Sequence, residues 1–191
     1  MKSTAPPSVD NYDFKESCEY IKSKVRSIPD WPIKGVIFRD ITTLLHDPKA
    51  YKAICSIFYN RYVNEKVDKI VGIDARGFLF GSVLSYELEI GFVPIRKKGK
   101  LPYKTISESY TLEYGEATIE IHADAINEGD RVVIVDDLMA TGGTIAASAA
   151  LVEKLGGDIL ECAFVIELPD LKGRDKMINR NCFAIIEFEG E

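Results

Sequence analysis

Two adjacent carboxylates and a run of glycines and hydroxyl side chains share one thirteen-residue stretch, Val132-Val133-Ile134-Val135-Asp136-Asp137-Leu138-Met139-Ala140-Thr141-Gly142-Gly143-Thr144. Its first four residues are β-branched, the pattern of a buried strand. That strand delivers Asp136 and Asp137 to its end, and a small-residue loop follows before a helix begins. Ionised carboxylates only accept hydrogen bonds, so the pair suits paired ribose hydroxyls or the hydration shell of a cation. Gly142 and Gly143 let the backbone curl closely around a ligand. Backbone N–H groups there and at the helix start favour an anion, above all a phosphate, and the Thr141 and Thr144 hydroxyls add donors. An ordinary βα loop would account for a glycine pair alone, but not for two strand-end acids followed by TGGT. The lysine of a Walker loop and the GxGxxG of a dinucleotide fold are both missing.

The elements around this stretch alternate. Phe14, Cys18, Ile21, Val25 and Ile28 recur at steps of four and three, which predicts one helix running to Pro29. Asp47-Pro48 opens a second helix, with Asp47 as cap and a stripe of Tyr51, Ile54, Cys55, Phe58 and Tyr62. Strands are expected at 69–73, 92–95, 118–122, 131–135, 159–166 and 183–187, with helices at 78–89 and 143–155, the latter closed by Gly156-Gly157. Between about Leu101 and Gly115 lies a polar segment with few helix signals. The fold class is therefore α/β, a mostly parallel central sheet flanked by helices, in which ligands sit beyond the carboxyl ends of the strands.

Composition narrows the partners. The 191 residues carry 24 Lys and Arg against 30 Asp and Glu, a net charge of −6, which disfavours a bulk nucleic-acid binder. No apolar run reaches the roughly 18 residues of a membrane span. Residues 1–10 lack the apolar core of a secretory signal and read as a loose tail. The four cysteines, Cys18, Cys55, Cys162 and Cys182, are scattered without a CxxC pair, and His46 and His122 make no ligand cluster. Reduced thiols and the cell interior, hence a cytoplasmic location, are the expectation. With no internal repeat or linker, a single domain is expected across 1–191.

The stretch ending in TGGT resembles the 5-phosphoribosyl-1-diphosphate (PRPP) signature of the type I phosphoribosyltransferases. By that resemblance Asp136 and Asp137 hold the ribose 2′- and 3′-hydroxyls, and Met139, Ala140, Thr141, Gly142, Gly143 and Thr144 surround the 5′-phosphate. Four further segments occur in order: Gly35-Val36-Ile37-Phe38-Arg39-Asp40-Ile41, Asp74-Ala75-Arg76-Gly77-Phe78, Arg96-Lys97-Lys98-Gly99-Lys100-Leu101-Pro102 and Leu112-Glu113-Tyr114-Gly115. Together, over about Tyr20 to Glu187, they resemble the adenine-specific members of the family. The resemblance implies transfer of phosphoribose from PRPP to N9 of adenine, giving AMP and pyrophosphate, in a homodimer that uses Mg²⁺.

It also implies roles residue by residue. Residues from about 11 to 45 form a small hood over the base, in which the Ile37 backbone reads the adenine edge, Phe38 packs beside it and Arg39 lies close by. Leu168 faces the base as well. Alone, Ile37 and Phe38 would read as core. Ala75 and Arg76 belong to a pyrophosphate loop, with a non-proline cis peptide expected at Asp74–Ala75 and Arg76 pairing with the diphosphate. Taken alone, Arg76 could be a surface arginine and Arg96–Lys100 a solvated face. Their positions at strand ends favour diphosphate contacts by Arg76, Lys97 and Lys100. The 101–115 segment resembles a flexible lid that excludes water.

Glu113 is the acid/base candidate, approaching the imidazole side of adenine, although without LEYG it would read as a surface glutamate. Tyr114 beside it contacts the ligand or pins the lid. Mg²⁺ is expected on diphosphate and ribose oxygens, reaching Asp136 or Asp137 through water, with no direct protein ligand. Two rivals remain: a non-catalytic regulator of the same fold, which would bind PRPP without releasing pyrophosphate, and a 6-oxopurine enzyme, separable by base competition. The lid residues 102–110 and the stretch Leu171-Lys172-Gly173-Arg174 receive no chemical role.

Overall fold

The apolar run Val132–Val135 lies at the middle of a sheet covered on both faces. The computed structural model describes residues 13–111 and 115–190. Helix α1 (Phe14–Lys24) leads into β1 (Arg26–Pro29) and β2 (Ile37–Asp40), then α2 (Thr42–Leu45) and α3 (Pro48–Tyr62). Next come β3 (Lys69–Ile73), α4 (Gly77–Glu87), β4 (Gly91–Lys97), β5 (Thr105–Thr111) and β6 (Glu116–His122). The chain continues through β7 (Arg131–Met139), α5 (Gly143–Lys154), β8 (Asp158–Glu167), two 3₁₀ turns (Pro169–Leu171 and Gly173–Lys176) and β9 (Cys182–Glu187). The seven-stranded sheet has the order β5-β6-β4-β3-β7-β8-β9. Strands β4, β3, β7, β8 and β9 run parallel, and β6 joins β4 and β5 antiparallel.

Period-two alternation sends Val133 and Val135 to one face, where they pack with Ile21 of α1, Phe58 of α3 and Phe80 of α4. Val132 and Ile134 face the other way, toward Ile145, Ala149 and Val152 of α5 and Ile119 and Ile121 of β6. A parallel strand buried on both faces has no polar side to show, which is why this run is continuously apolar.

Helix α3 begins as its sequence dictates. The Asp47 carboxylate accepts hydrogen bonds from the Lys49 and Ala50 amides, both at 3.0 Å, and Pro48 takes the first turn. The first helix is shorter than its stripe. It stops at Lys24, and Arg26–Pro29 pairs antiparallel with Ile37–Asp40 in a two-stranded hairpin. Val25 and Ile28 thus leave the helix, because a partner strand satisfies the backbone beyond Lys24.

Of the residues about 11–45 expected as a hood, α1 packs into the main core through Ile21, and the β1–β2 hairpin stands beside the cleft. The segment expected as a flexible lid contains a strand among its described residues. Thr105–Thr111 is a strand paired residue for residue with Glu116–His122. Ile106, Glu108 and Tyr110 point inward, while Ser107, Ser109 and Thr111 face out. Among the described residues no helix is long and apolar enough to cross a membrane.

Candidate active site

Strands β3 and β7 end side by side, and a cleft of about 290 Å³ opens beyond their carboxyl ends. Strand β7 supplies Asp136, Asp137 and Met139 to its wall, and the turn that follows supplies Ala140, Thr141, Gly142, Gly143 and Thr144. The turn after β3 brings Asp74, Ala75 and Arg76, β4 brings Lys97, and β5 brings Tyr110. Residues far apart in sequence thus line one space of mixed charge.

The acid pair is held in a costly setting. Asp137 is 3% exposed, and Asp136 keeps part of its surface on the cleft. The Asp137 amide donates to Asp136 Oδ1 at 2.8 Å. Burial, and then the neighbouring Asp137 charge, push the Asp136 carboxyl well above the usual range. Burial also raises Asp137, against the pull of the Arg76 guanidinium. Arg76 Nε stands 3.0 Å from Asp137 Oδ2. The approach is not along the N–H direction, and among the described residues this buried oxygen accepts no hydrogen bond. Such an oxygen calls for a donor.

Across from the acids the turn closes into α5. Gly142 caps the helix with φ +76°, and among the described residues no side chain caps its first-turn amides. No acidic residue lies in that turn. An uncapped N-terminus facing a cleft presents N–H donors and the positive end of the helix dipole, the conditions for a phosphate. Thr144 Oγ1 donates to the Tyr110 hydroxyl at 3.0 Å, so β5 lies against this end of the helix.

The second turn is braced by the basic run. Arg96 Nε donates to Asp74 Oδ2 at 3.1 Å, and its Nη1 reaches the Lys100 carbonyl at 3.2 Å. Asp74 and Ala75 are joined by a cis peptide bond, where one was expected. Lys97 lines the cleft, whereas Lys100 is exposed and not among the lining residues.

The four residues expected at the base fall outside the cleft lining. Phe38, on the hairpin, lies under Arg76 with 5.9 Å between guanidinium carbon and ring centre, and meets Trp31 edge-on at 4.4 Å. Ile37 is half-buried beside it. Leu168 donates its amide to the Met139 carbonyl at 3.0 Å and packs with the core. Arg39 is turned elsewhere: it donates to Ser27 Oγ at 2.6 Å and to the Gly190 carbonyl at 3.0 Å, with Phe188 stacked 4.5 Å away. Only 8% exposed, it fastens the hairpin to the C-terminal segment. Glu113 and Tyr114 lie outside the described residues.

Sequence reasoning missed Tyr110. Its signal was present, because Thr105-Ile106-Ser107-Glu108-Ser109-Tyr110-Thr111 alternates with period two opposite Glu116–His122. The high polarity of that stretch obscured the alternation.

What this fold and cleft share with known proteins is a phosphoribosyl transferase domain, whose family model matches residues 40–191. The adenine phosphoribosyltransferase of Desulfosudis oleivorans is 63% identical over 171 residues, covering 90% of this chain and 99% of that one. The crystal structure of the enzyme of that name from Thermoanaerobacter pseudethanolicus superposes with a TM-score of 0.86 at 51% identity, covering 90% of this chain and 99% of that one. The Saccharomyces cerevisiae adenine phosphoribosyltransferase, complexed with an imino-altritol bisphosphate and adenine, gives 0.85 at 39% identity, with coverage of 90% and 99%. The chain belongs to the adenine phosphoribosyltransferase family of the type I phosphoribosyltransferases.

Proposed function

We propose that this chain transfers the 5-phosphoribosyl group of PRPP to N9 of adenine, giving AMP and pyrophosphate with inversion at the anomeric carbon. The observation that carries the reading is Asp137 Oδ2, a buried acceptor without a hydrogen bond among the described residues, in a cleft that ends at a helix N-terminus. A ribose 5-phosphate satisfies both ends. Its 2′- and 3′-hydroxyls donate to Asp137 and Asp136, and its phosphate accepts from the 140–144 amides and the Thr141 and Thr144 hydroxyls. Family membership supports adenine as the base.

Arg76 and Lys97 line the cleft, which supports assigning them to the diphosphate. As the C1′–O bond lengthens, C1′ gains oxocarbenium character and negative charge moves onto the leaving group. Arg76 and Lys97 stabilise that charge more in the transition state than in the ground state. Ala75 contributes backbone to the same loop, and Lys100 reaches the diphosphate only if the exposed turn that carries it folds inward. Adenine lies against Phe38, with the Ile37 backbone at its edge and Leu168 below, and Arg39 holds the hairpin that carries them. Glu113 manages the proton at the imidazole side, and Tyr114 contacts the ligand or pins the lid.

Among the described residues no three metal-ligating side chains cluster. A cation arriving on the substrate would be held by diphosphate and ribose oxygens, with Asp136 or Asp137 able to reach it through water. Mg²⁺ held there would neutralise diphosphate charge. The proposal extends to a single domain acting as a homodimer in the cytoplasm.

The test is pyrophosphate release with PRPP, Mg²⁺ and each purine in turn. Release with adenine, undiminished by excess hypoxanthine or guanine, supports the reading. PRPP binding without release from any base would favour a regulator instead. Loss of turnover in Glu113→Gln with PRPP binding retained supports the acid/base role, and unchanged turnover removes it.

A further inference from the structure

The stretch Leu171-Lys172-Gly173-Arg174 follows β8 and supplies nothing to the cleft wall. Its backbone nevertheless lies directly against the turn between β7 and α5. A Cβ placed on Gly173 would stand 2.3 Å from the Ala140 carbonyl oxygen and 3.2 Å from the Gly142 nitrogen. The contact is reciprocal, since a Cβ on Gly142 would stand 2.4 Å from the Gly173 carbonyl oxygen. Two backbones meet with no room for a side chain on either. Any other residue at 173 must push the 140–142 segment toward the cleft or be pushed away from it.

What holds Gly173 there is an ion pair. Arg174 donates from Nε and Nη2 to the two oxygens of Glu167 at 2.7 and 2.6 Å, and from Nη1 to the Cys182 carbonyl at 3.0 Å. Glu167 is 4% exposed and ends β8 in register with Met139, the last residue of β7. The Leu168 amide bonds the Met139 carbonyl. A planar, two-pronged pair fixes direction as well as distance. The chain from Glu167 through Arg174 therefore loops out and returns Gly173 beneath the turn.

We propose that Gly173 and the Arg174–Glu167 pair are positioning residues that set the shape of the 5′-phosphate turn without touching substrate. The inference rests on the reading of 140–144 as the phosphate site. Displacing a binding group by about 1 Å can cost up to about 100-fold, so a shifted turn should be felt in phosphate affinity.

The experiment compares the unaltered chain with Gly173→Ala, Arg174→Gln and Arg174→Lys. Ribose 5-phosphate binding is measured by calorimetry, and KM for PRPP, KM for adenine and kcat are measured in parallel. The expected result is roughly tenfold weaker ribose 5-phosphate binding in Gly173→Ala and a matching rise in KM for PRPP, with KM for adenine within about twofold. Arg174→Gln should shift in the same direction, and Arg174→Lys should recover part of the loss. If Gly173→Ala does not fold, the Arg174 pair carries the test.

Equal rises in both KM values, or unchanged ribose 5-phosphate affinity in soluble Arg174→Gln, would overturn the proposal. Ribose 5-phosphate bound by an unaltered chain that releases no pyrophosphate would sink the transferase reading and leave this test intact. No ribose 5-phosphate binding by the unaltered chain would overturn both.

Discussion

The Thr144 hydroxyl donates to the Tyr110 phenol across 3.0 Å, tying the first turn of α5 to β5. The ring also covers Gly143, where an added Cβ would stand 3.1 Å from Tyr110 Cδ2, and Lys154 pairs with Glu108 further along the same two elements. A segment read from its sequence as a loop is thereby latched, over Thr105–Thr111, beside the 140–144 turn. Tyr110→Phe keeps the ring and removes the hydroxyl, which should cost about 1 kcal/mol of local stability. Hydrogen exchange is expected to quicken in 105–111 while the amides of β7 stay protected. Unchanged exchange there would mean that ring packing and the Glu108 pair hold the strand without the hydroxyl.

Asp136 should trade stability for function. Its folded pKa is raised by burial and by Asp137, so ionising it costs folding free energy. A carboxyl with a raised folded pKa costs nothing below its unfolded value, near about 3.9, and the penalty grows with pH until the folded value is passed. Asp136→Asn is expected to melt higher than the parent at neutral pH, with the gap closing toward about pH 4. The same change should lower kcat/KM for PRPP roughly 10- to 100-fold through weakened bonds to ribose hydroxyls. Thermal melts across pH, with kinetics at one pH, check both halves.

The single tryptophan offers an optical test of where the base is proposed to bind. Trp31 is half exposed on the hairpin and meets Phe38 edge-on. If adenine or AMP settles against Phe38, as proposed, the surroundings of that indole change. A saturable change in Trp31 emission is expected with adenine and not with hypoxanthine, and Phe38→Leu should abolish or weaken it. An unchanged spectrum at adenine concentrations that support turnover would place the base away from Phe38.

A cluster remote from the cleft should affect stability alone. Glu161, 8% exposed, accepts from Arg61 Nη2 at 2.7 Å and from the Tyr62 hydroxyl at 2.6 Å, and burial raises the Tyr62 phenol far above its usual value. Arg61→Ala strips most of the compensation from a buried carboxylate. Because Arg61 is partly exposed, the cost should be about 2 kcal/mol, below that for a fully buried pair. Urea unfolding should show the loss, with KM values and kcat unchanged.

The amino-acid sequence by itself determined what is contiguous. Strand β7, its acid pair, the glycine turn and the start of α5 form one unbroken stretch, and each part is specified by its own side chains: β-branched burial, carboxylates at the strand end, glycine at positive φ. The start of α3 was legible for the same reason, since Asp47 and Pro48 act within one turn. Tertiary structure decided whatever depends on a partner distant in the chain. Val25 and Ile28 continue a helical stripe, yet pairing with β2 draws the chain after Lys24 into a strand. Arg39 sits in a site-like motif, but carbonyls 150 and 151 residues away turn it toward the C-terminal segment. Gly173 receives no role from the sequence, and the fold sets it against Gly142. Local propensity is written residue by residue, whereas a contact between distant backbones exists only once the sheet has brought them together.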